Sequence, residues 1–201
     1  MDDKLIFLPG ASGSTRFWSP VQQHLADDYS TDVIGYPGFA DVPNDPEIHN
    51  FDQLCQHVIN QISEPCYLVA QSMGGIFAIA TALAKPELIR GLVLIATSGG
   101  IDLSPFHVAD WRQVYQAEYT TQPDWFVTTQ TNYQDQLQHI QCPSLLLWGG
   151  IDPISPVEVG QYLQQCLKQA ELHVIAEGQH HFAKTHALQV SQLIRNFINR
   201  H

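Results

Sequence analysis

The sequence predicts an α/β fold: a mostly parallel sheet of about six strands, with helices on both faces and a small helical cap. Two observations support this fold class. Short apolar runs recur along the chain, and the stretches between most of them have helical periodicity. The runs are continuously apolar, as expected for parallel strands that are buried on both faces. Since 201 residues is the size of one domain, we predict a single domain over 1–201.

Each element follows from a local pattern. The strand-like runs lie at 4–8, 31–35, 66–70, 91–96, 144–149 and 172–176. Apolar residues recur every three to four positions in other stretches, as Leu54, Val58 and Ile62 do, and this spacing predicts helices. The predicted helices cover 16–29, 51–63, 74–84 and 184–199.

One segment interrupts this alternation. About 45 residues separate Ala96, which ends one strand, from Ser144, which begins the next, and this exceeds an ordinary connection. The segment is rich in aromatic residues, and we predict a cap of two or three helices inserted at about 98–141. The alternative is an ordinary crossover helix followed by a long loop.

Composition excludes several classes of function. Acidic residues outnumber basic ones 20 to 9, and the net charge of −11 argues against nucleic acid or anionic membrane as a partner. The N-terminal stretch "MDDKLIFLPG" lacks a basic segment and a long apolar run, so we expect neither a signal peptide nor membrane insertion. The four cysteines form no CxxC pair, which indicates free thiols in the cytoplasm. No motif indicates a metal or an organic cofactor.

Ser72 in "AQSMGG" is the candidate nucleophile. It follows the apolar run 66–70 and precedes the helical stretch 74–84, with small residues at Ala70, Gly74 and Gly75. Small side chains allow a sharp strand-to-helix turn, and the helix start can direct the Met73 N–H at a developing anion. The alternative is that Ser72 is only a helix N-cap.

A serine nucleophile needs a base and an acid that orients the base. The stretch "GQHHF" follows the last predicted strand and offers His180 and His181, unless this loop is only solvated. Asp152 follows the run 144–149 in a Gly/Pro-rich turn, where it could instead form an Asx turn. Asp102 is the second candidate acid.

A second donor to the oxyanion should come from the glycine-rich loop "FLPGASGS", which follows the first strand. The N–H of Ala11 is the candidate, with Ser12 as the alternative. This loop has neither the Gly-Lys-Ser/Thr ending nor the G-x-G-x-x-G pattern of nucleotide-binding loops.

These stretches, in this order, resemble the α/β-hydrolase fold family over essentially the whole chain. "LPGASGSTRFW" is similar to the family's oxyanion loop, "AQSMGG" to its nucleophile elbow, and "LLLWGGIDPISP" to the strand and turn that carry the acid. "GQHHF" is similar to the family's G-x-G-H-F loop. The resemblance therefore implies that His181, directly before Phe182, is the catalytic histidine, with His180 as the alternative. The order Ser72, Asp152, His181 is the order that the family uses.

The departures from the family pattern also carry information. Family members usually have one or two antiparallel strands before the oxyanion-loop strand, whereas this chain reaches that strand at Lys4, so we expect six strands instead of eight. Pro9 replaces the histidine of the usual His-Gly pair, and Ala70 replaces the first glycine of G-x-S-x-G. Serine at position 72 excludes the haloalkane dehalogenase and epoxide hydrolase branches, which use aspartate. Ile76 disfavours the lyase branch of menaquinone synthesis, which commonly has arginine there.

The resemblance and the residues together predict a serine hydrolase that cleaves carboxylic esters or thioesters of a small, apolar substrate. Ser72 attacks the carbonyl, His181 moves the proton, Asp152 orients His181, and the N–H groups of Ala11 and Met73 hold the oxyanion. Candidate substrate contacts are Ser12, Trp111, Tyr115 and Trp125. The alternatives are a cofactor-free lyase, a C–C hydrolase or an acyltransferase with the same triad, or a non-catalytic small-molecule binder.

Overall fold

Six strands form one sheet in the computed structural model, which describes residues 3–201. Met1 and Asp2, which open the N-terminal stretch considered above, lie outside the described residues. The strands are β1 (Lys4–Leu8), β2 (Ser30–Val33), β3 (Cys66–Gln71), β4 (Ile89–Ile95), β5 (Ser144–Gly149) and β6 (Ala170–Ile175). Their order across the sheet is β2-β1-β3-β4-β5-β6, and every pairing is parallel. The predicted fold class and the number of strands are confirmed.

Helices connect the strands. They are α1 (Ser19–Leu25), α2 (Phe51–Gln61), α3 (Gly74–Ala84), α4 (Arg112–Glu118), α5 (Trp125–Thr128), α6 (Val157–Cys166), α7 (Phe182–Thr185) and α8 (Ala187–Ile198). Short 3₁₀ helices cover Thr15–Trp18 and Gln134–His139. Helix α6 was missing from the predicted elements, and the single helix predicted at 184–199 is divided between α7 and α8.

The sheet separates two apolar cores. Alternate residues of each strand face opposite ways, so Leu5 and Phe7 pack on the face covered by α1 and α8, whereas Ile6 and Leu8 pack on the face covered by α2, α3 and α6. Burial on both faces explains why the strands are continuously apolar. Each fully buried side chain of this size contributes about 1.5–3 kcal/mol relative to an exposed one.

The predicted cap segment contains three short helical pieces, namely α4, α5 and the 3₁₀ helix at Gln134–His139. Phe126 on α5 is buried against aromatic rings of the body of the protein, with its ring centroid 4.9 Å from that of Phe39 and 5.9 Å from that of Phe77. Phe126, and Trp125 beside it, therefore pack the cap segment onto the body of the protein. The division into a domain and an inserted cap at about 98–141 stays a prediction.

Over residues 3–201, no helix has both the length and the hydropathy needed to cross a lipid bilayer. The expected cytoplasmic location stays a prediction.

Candidate active site

Ser72 lies on a sharp turn between β3 and α3. Its φ angle is 52°, in the left-handed region that non-glycine residues rarely adopt. The turn is closely packed, since a Cβ atom at Gly74 would lie 2.5 Å from the carbonyl oxygen of Leu8, and one at Gly75 would collide with the side chain of Thr97. The small residues that the sequence places after Ser72 are therefore required by the close approach of β1 and of the loop after β4.

Ser72, His180 and Asp152 form a continuous hydrogen-bonded chain. The Ser72 hydroxyl lies 3.0 Å from Nε2 of His180, and Nδ1 of His180 lies 2.8 Å from Oδ2 of Asp152. The Asp152 side chain is fully buried, and its Oδ1 accepts the N–H groups of Ile154 at 2.8 Å and Ser155 at 3.1 Å. These bonds fix the rotation of the carboxylate, which in turn fixes the imidazole ring beside the hydroxyl.

The prediction that His181 contacts Ser72 is wrong, because the structure places His180 there. The turn from Ile175 to Gly178 closes through a 2.9 Å hydrogen bond, and Gly178 packs directly on Gly149 at the end of β5. This turn brings His180 above Asp152. His181 is the N-cap residue of α7, and its ring packs edge-on against Phe17 with a 6.0 Å separation between centroids.

The surroundings of His181 also shift its titration. Partial burial of the ring, and secondly its electrostatic interaction with the neighbouring His180, lower the pKa of His181. The position of the ring, not its charge, separates it from Ser72, because His180 occupies the hydrogen-bonded chain.

Asp102, the second candidate acid, lies elsewhere. Its exposed carboxylate accepts the backbone N–H of Ser104 at 2.9 Å and the hydroxyl of the same residue at 2.7 Å. Asp102 therefore forms a local turn, and Asp152 is the acid that contacts the histidine.

Two buried residues that the sequence analysis missed hold the site in place. The Thr97 hydroxyl donates to the backbone carbonyl of Ser72 at 2.6 Å, and Nε2 of Gln71 donates to the carbonyl of His180 at 3.3 Å. Their positions provided a signal, because Gln71 is a polar residue at the end of an apolar strand, and Thr97 directly follows the β4 run at the same edge of the sheet.

The candidate oxyanion donors have free N–H groups. Across the described residues, neither the N–H of Ala11 nor that of Met73 donates to an acceptor within the protein. Met73 follows Ser72 directly at the start of α3, and Ala11 lies in a tight turn in which the Gly13 N–H bonds the Gly10 carbonyl at 2.9 Å. Free donors beside a nucleophile suit an anion that forms during a reaction, and the oxyanion role stays a proposal.

The four candidate substrate residues lie around this loop and the cap segment. Tyr115 is only 7% exposed, and its hydroxyl donates to the carbonyl of Ala11 at 2.9 Å, so the protein itself occupies that hydroxyl. Trp111 packs edge-on against Tyr115, and Trp125 packs against an aromatic ring of the loop after β2. Ser12 accepts a hydrogen bond through its carbonyl from the cap segment. Contact between these residues and a substrate stays a prediction.

No group of three or more His, Cys, Asp or Glu side chains within residues 3–201 is arranged to hold a metal ion.

Residues 5–134 match the sequence profile of a family described as "Alpha/beta hydrolase family". The chain belongs to this family. The matched range includes the oxyanion loop and the Ser72 turn of the α/β hydrolase, whereas Asp152 and His180 lie beyond it.

Named relatives of this α/β hydrolase include two kinds of enzyme. The chain is 25% identical to a 2-hydroxy-6-oxononadienedioate/2-hydroxy-6-oxononatrienedioate hydrolase of Paraburkholderia phymatum, over 96% of this chain and 84% of that protein. It is 30% identical to the pimeloyl-[acyl-carrier protein] methyl ester esterase of Aeromonas hydrophila, over 47% of this chain and 37% of that protein. With the family match, these names show that the chain is an α/β hydrolase enzyme.

Solved structures show the same fold. A thermophilic esterase from Thermogutta terrifontis is similar with a TM-score of 0.78 at 19% identity, covering 98% of this chain and 90% of that one. A meta-cleavage product hydrolase from Pseudomonas fluorescens is similar with a TM-score of 0.80 at 18% identity, covering 98% of this chain and 91% of that one.

Proposed function

We propose that this α/β hydrolase is a serine hydrolase that cleaves carboxylic ester or thioester bonds of small, apolar substrates. The observation that carries the proposal is the hydrogen-bonded chain from Ser72 through His180 to the buried carboxylate of Asp152. A hydroxyl, an imidazole and a carboxylate in this arrangement supply a nucleophile, a base and an orienting acid.

In the proposed mechanism, the Nδ1–H of His180 donates to Asp152, which leaves Nε2 free to accept the Ser72 proton. As Ser72 Oγ attacks the carbonyl carbon, the proton moves to Nε2, and Asp152 stabilises the imidazolium. The N–H groups of Ala11 and Met73 stabilise the negative oxygen. His180 then protonates the leaving group, and water releases the acyl group from Ser72 by the same steps.

A second candidate reaction is hydrolysis of a carbon–carbon bond beside a carbonyl group. The specific observation that favours it is the relative from Paraburkholderia phymatum, which aligns with nearly the whole chain and is named as a hydrolase of keto acids that contain no ester bond. A lyase or an acyltransferase would use the same three side chains. Analysis of the products separates these reactions from ester hydrolysis.

The experiment that tests the proposal is intact-protein mass spectrometry after treatment with an alkyl fluorophosphonate. We expect one adduct on the wild-type protein and none on Ser72→Ala, with circular dichroism confirming that both are folded. Hydrolysis of p-nitrophenyl esters, acyl thioesters and vinylogous 1,5-diketones then identifies the bond that is cleaved. Absence of an adduct on folded wild-type protein would overturn the proposal and favour a non-catalytic binder.

A further inference from the structure

The oxyanion loop is held by hydrogen bonds to four successive carbonyl groups, those of residues 9–12. The bonds are Tyr36 Oη to Pro9 O at 2.8 Å, Gly13 N to Gly10 O at 2.9 Å, Tyr115 Oη to Ala11 O at 2.9 Å and Gln122 Nε2 to Ser12 O at 3.3 Å. The first donor comes from the body of the protein and the second from the loop itself. The last two come from the cap segment, more than 100 positions along the chain.

Tyr115 and Gln122, the two donors from the cap segment, also contact each other. The Tyr115 hydroxyl also lies 3.2 Å from Oε1 of Gln122, so its single proton is shared between this oxygen and the Ala11 carbonyl, and the two cap side chains are in direct contact. The Tyr115 ring is buried between Trp111 and Tyr119, at centroid separations of 5.4 Å and 4.9 Å. Burial raises the pKa of Tyr115, which keeps the hydroxyl protonated as a donor.

Fixing a carbonyl group also fixes the next N–H group, because the two belong to the same planar peptide unit and point in opposite directions. The carbonyl of Ala11 shares its plane with the N–H of Ser12, and the carbonyl of Gly10 shares its plane with the N–H of Ala11. Gly10 and Gly13 give this loop large intrinsic freedom, and Gly13 has a φ of +68°. The plane that carries the Ala11 N–H is held within the loop by Gly13, and the cap donors hold the two planes that follow it, so their effect on the Ala11 N–H passes through the adjoining backbone.

We propose that Tyr115 and Gln122 are positioning residues that hold the loop at 9–13 in the orientation that stabilises the oxyanion. The inference rests on the proposed function. It gives the cap segment a part in the chemical step, in addition to any contact with substrate. Donors that are held in place before the reaction stabilise a developing charge more strongly than mobile ones.

The test is Tyr115→Phe, which keeps the ring and removes the hydroxyl. Removal of an oxyanion donor outright costs on the order of 10²–10³-fold in kcat. Loss of a hydrogen bond that only positions the donor should lower kcat by less. We expect kcat for a p-nitrophenyl ester to fall about tenfold, with KM within about twofold of the wild-type value. The Ki of an alkyl trifluoromethyl ketone, which forms a tetrahedral adduct, should rise by the same factor, whereas that of the matched alkyl methyl ketone should not change.

Tyr67→Phe is the matched control. Tyr67 is 3% exposed and packs against Phe197 on the α8 face, away from the loop. We expect this variant to keep wild-type kcat and wild-type Ki values. A general effect of removing the hydroxyl from a tyrosine whose ring is buried would appear in both variants, and this would count against the proposal.

Gln122→Leu provides a second measurement if Tyr115→Phe unfolds at the assay temperature. We expect the same pattern of lower kcat with unchanged KM, at about threefold. Unchanged kcat in both folded variants, or a rise in KM alone, would overturn the proposal. A fluorophosphonate adduct that persists in these variants and disappears in Ser72→Ala separates failure of this inference from failure of the proposed function.

Discussion

The backbone conformation of Ser72 is strained and suits the proposed role of this residue as a nucleophile. Its φ of 52° costs a non-glycine residue on the order of 1 kcal/mol, and the surrounding contacts must hold it there. This conformation makes the Ser72 side chain project from the end of β3, where Nε2 of His180 lies within hydrogen-bonding distance of the Ser72 hydroxyl. A relaxed helix N-cap would need no such strain, which favours the nucleophile over the N-cap interpretation.

The two adjacent histidines give a direct test at the scale of single residues. We expect His180→Ala to abolish the fluorophosphonate adduct and to lower kcat by on the order of 10⁴-fold or more, because the Ser72 proton then has no acceptor. His181→Ala should keep the adduct and stay within about threefold of wild-type kcat. The measurements are intact mass and ester hydrolysis. The opposite pattern would restore His181 as the base.

The sequence places the candidate base in the loop "GQHHF" and favours His181, whereas the structure brings His180 to Ser72. The rule that the catalytic histidine directly precedes phenylalanine points to His181. The choice depends on the turn between Ile175 and Gly178 and on the contact of Gly178 with Gly149, neither of which a local pattern reveals. Ser72 and Asp152 were easier to place, because each follows a continuous apolar strand at the same edge of the sheet.

At the scale of elements, the turn after β3 is tied to the loop after β4. The Thr97 hydroxyl donates to the Ser72 carbonyl at 2.6 Å and accepts the N–H of Gly99 at 3.0 Å. The two strands, β3 and β4, are paired in continuous register from Tyr67 to Gln71, up to the turn itself. The hydrogen bond from Thr97 therefore helps to keep the Ser72 backbone in its left-handed conformation.

Two buried threonines allow a matched test of this connection. Thr97→Val keeps the shape of the side chain but removes one of the two donors to the Ser72 carbonyl, the other being the Gly75 N–H at 3.0 Å, and leaves the Gly99 N–H without its acceptor. We therefore expect a loss of about 1–3 kcal/mol in unfolding free energy and slower fluorophosphonate labelling. Thr81→Val is the control, because the Thr81 hydroxyl bonds only the Phe77 carbonyl within α3. Thr81→Val should lower the unfolding free energy by less than Thr97→Val does, and it should leave the rate of fluorophosphonate labelling unchanged. Equal labelling rates in the two variants would argue against the connection.

The elements were predicted best where an uninterrupted apolar run ends at a turn signal. β1 and β5 have the predicted bounds, as does α3. Helix α6 was missed because its exposed face carries several glutamines and only Val159 and Leu163 bury a large apolar side chain, which weakens the periodic signal. Its burial comes from packing on the sheet, which local sequence does not display.

At the scale of the whole molecule, burial within the packed interior makes most of the cysteine thiols less acidic. Burial raises the pKa of Cys55 to about 11 and that of Cys66 to about 12, and burial likewise raises the pKa of Cys142 to about 11. Because each pKa lies well above 8, these thiols stay protonated up to that pH, and the reactive thiolate is scarce.

We therefore expect iodoacetamide at pH 8 to leave Cys55 and Cys66 unmodified in the native protein, and to leave esterase activity unchanged. Peptide mass spectrometry measures the modification, and the same treatment in urea should modify all four cysteines. Rapid modification of native Cys55 or Cys66, with loss of activity, would contradict both the burial and the assignment of a serine nucleophile.

The distance along the chain between the three side chains of the proposed triad has a consequence for biosynthesis. Ser72 and His180 are 108 positions apart, and His180 follows β6, an edge strand that pairs only with β5. Local helices such as α3 can form early, whereas contacts between distant segments form late because closing a long loop is entropically costly. If the proposed mechanism holds, Ser72 therefore stays inert in a nascent chain until β6 and the loop that carries His180 have emerged and docked on β5.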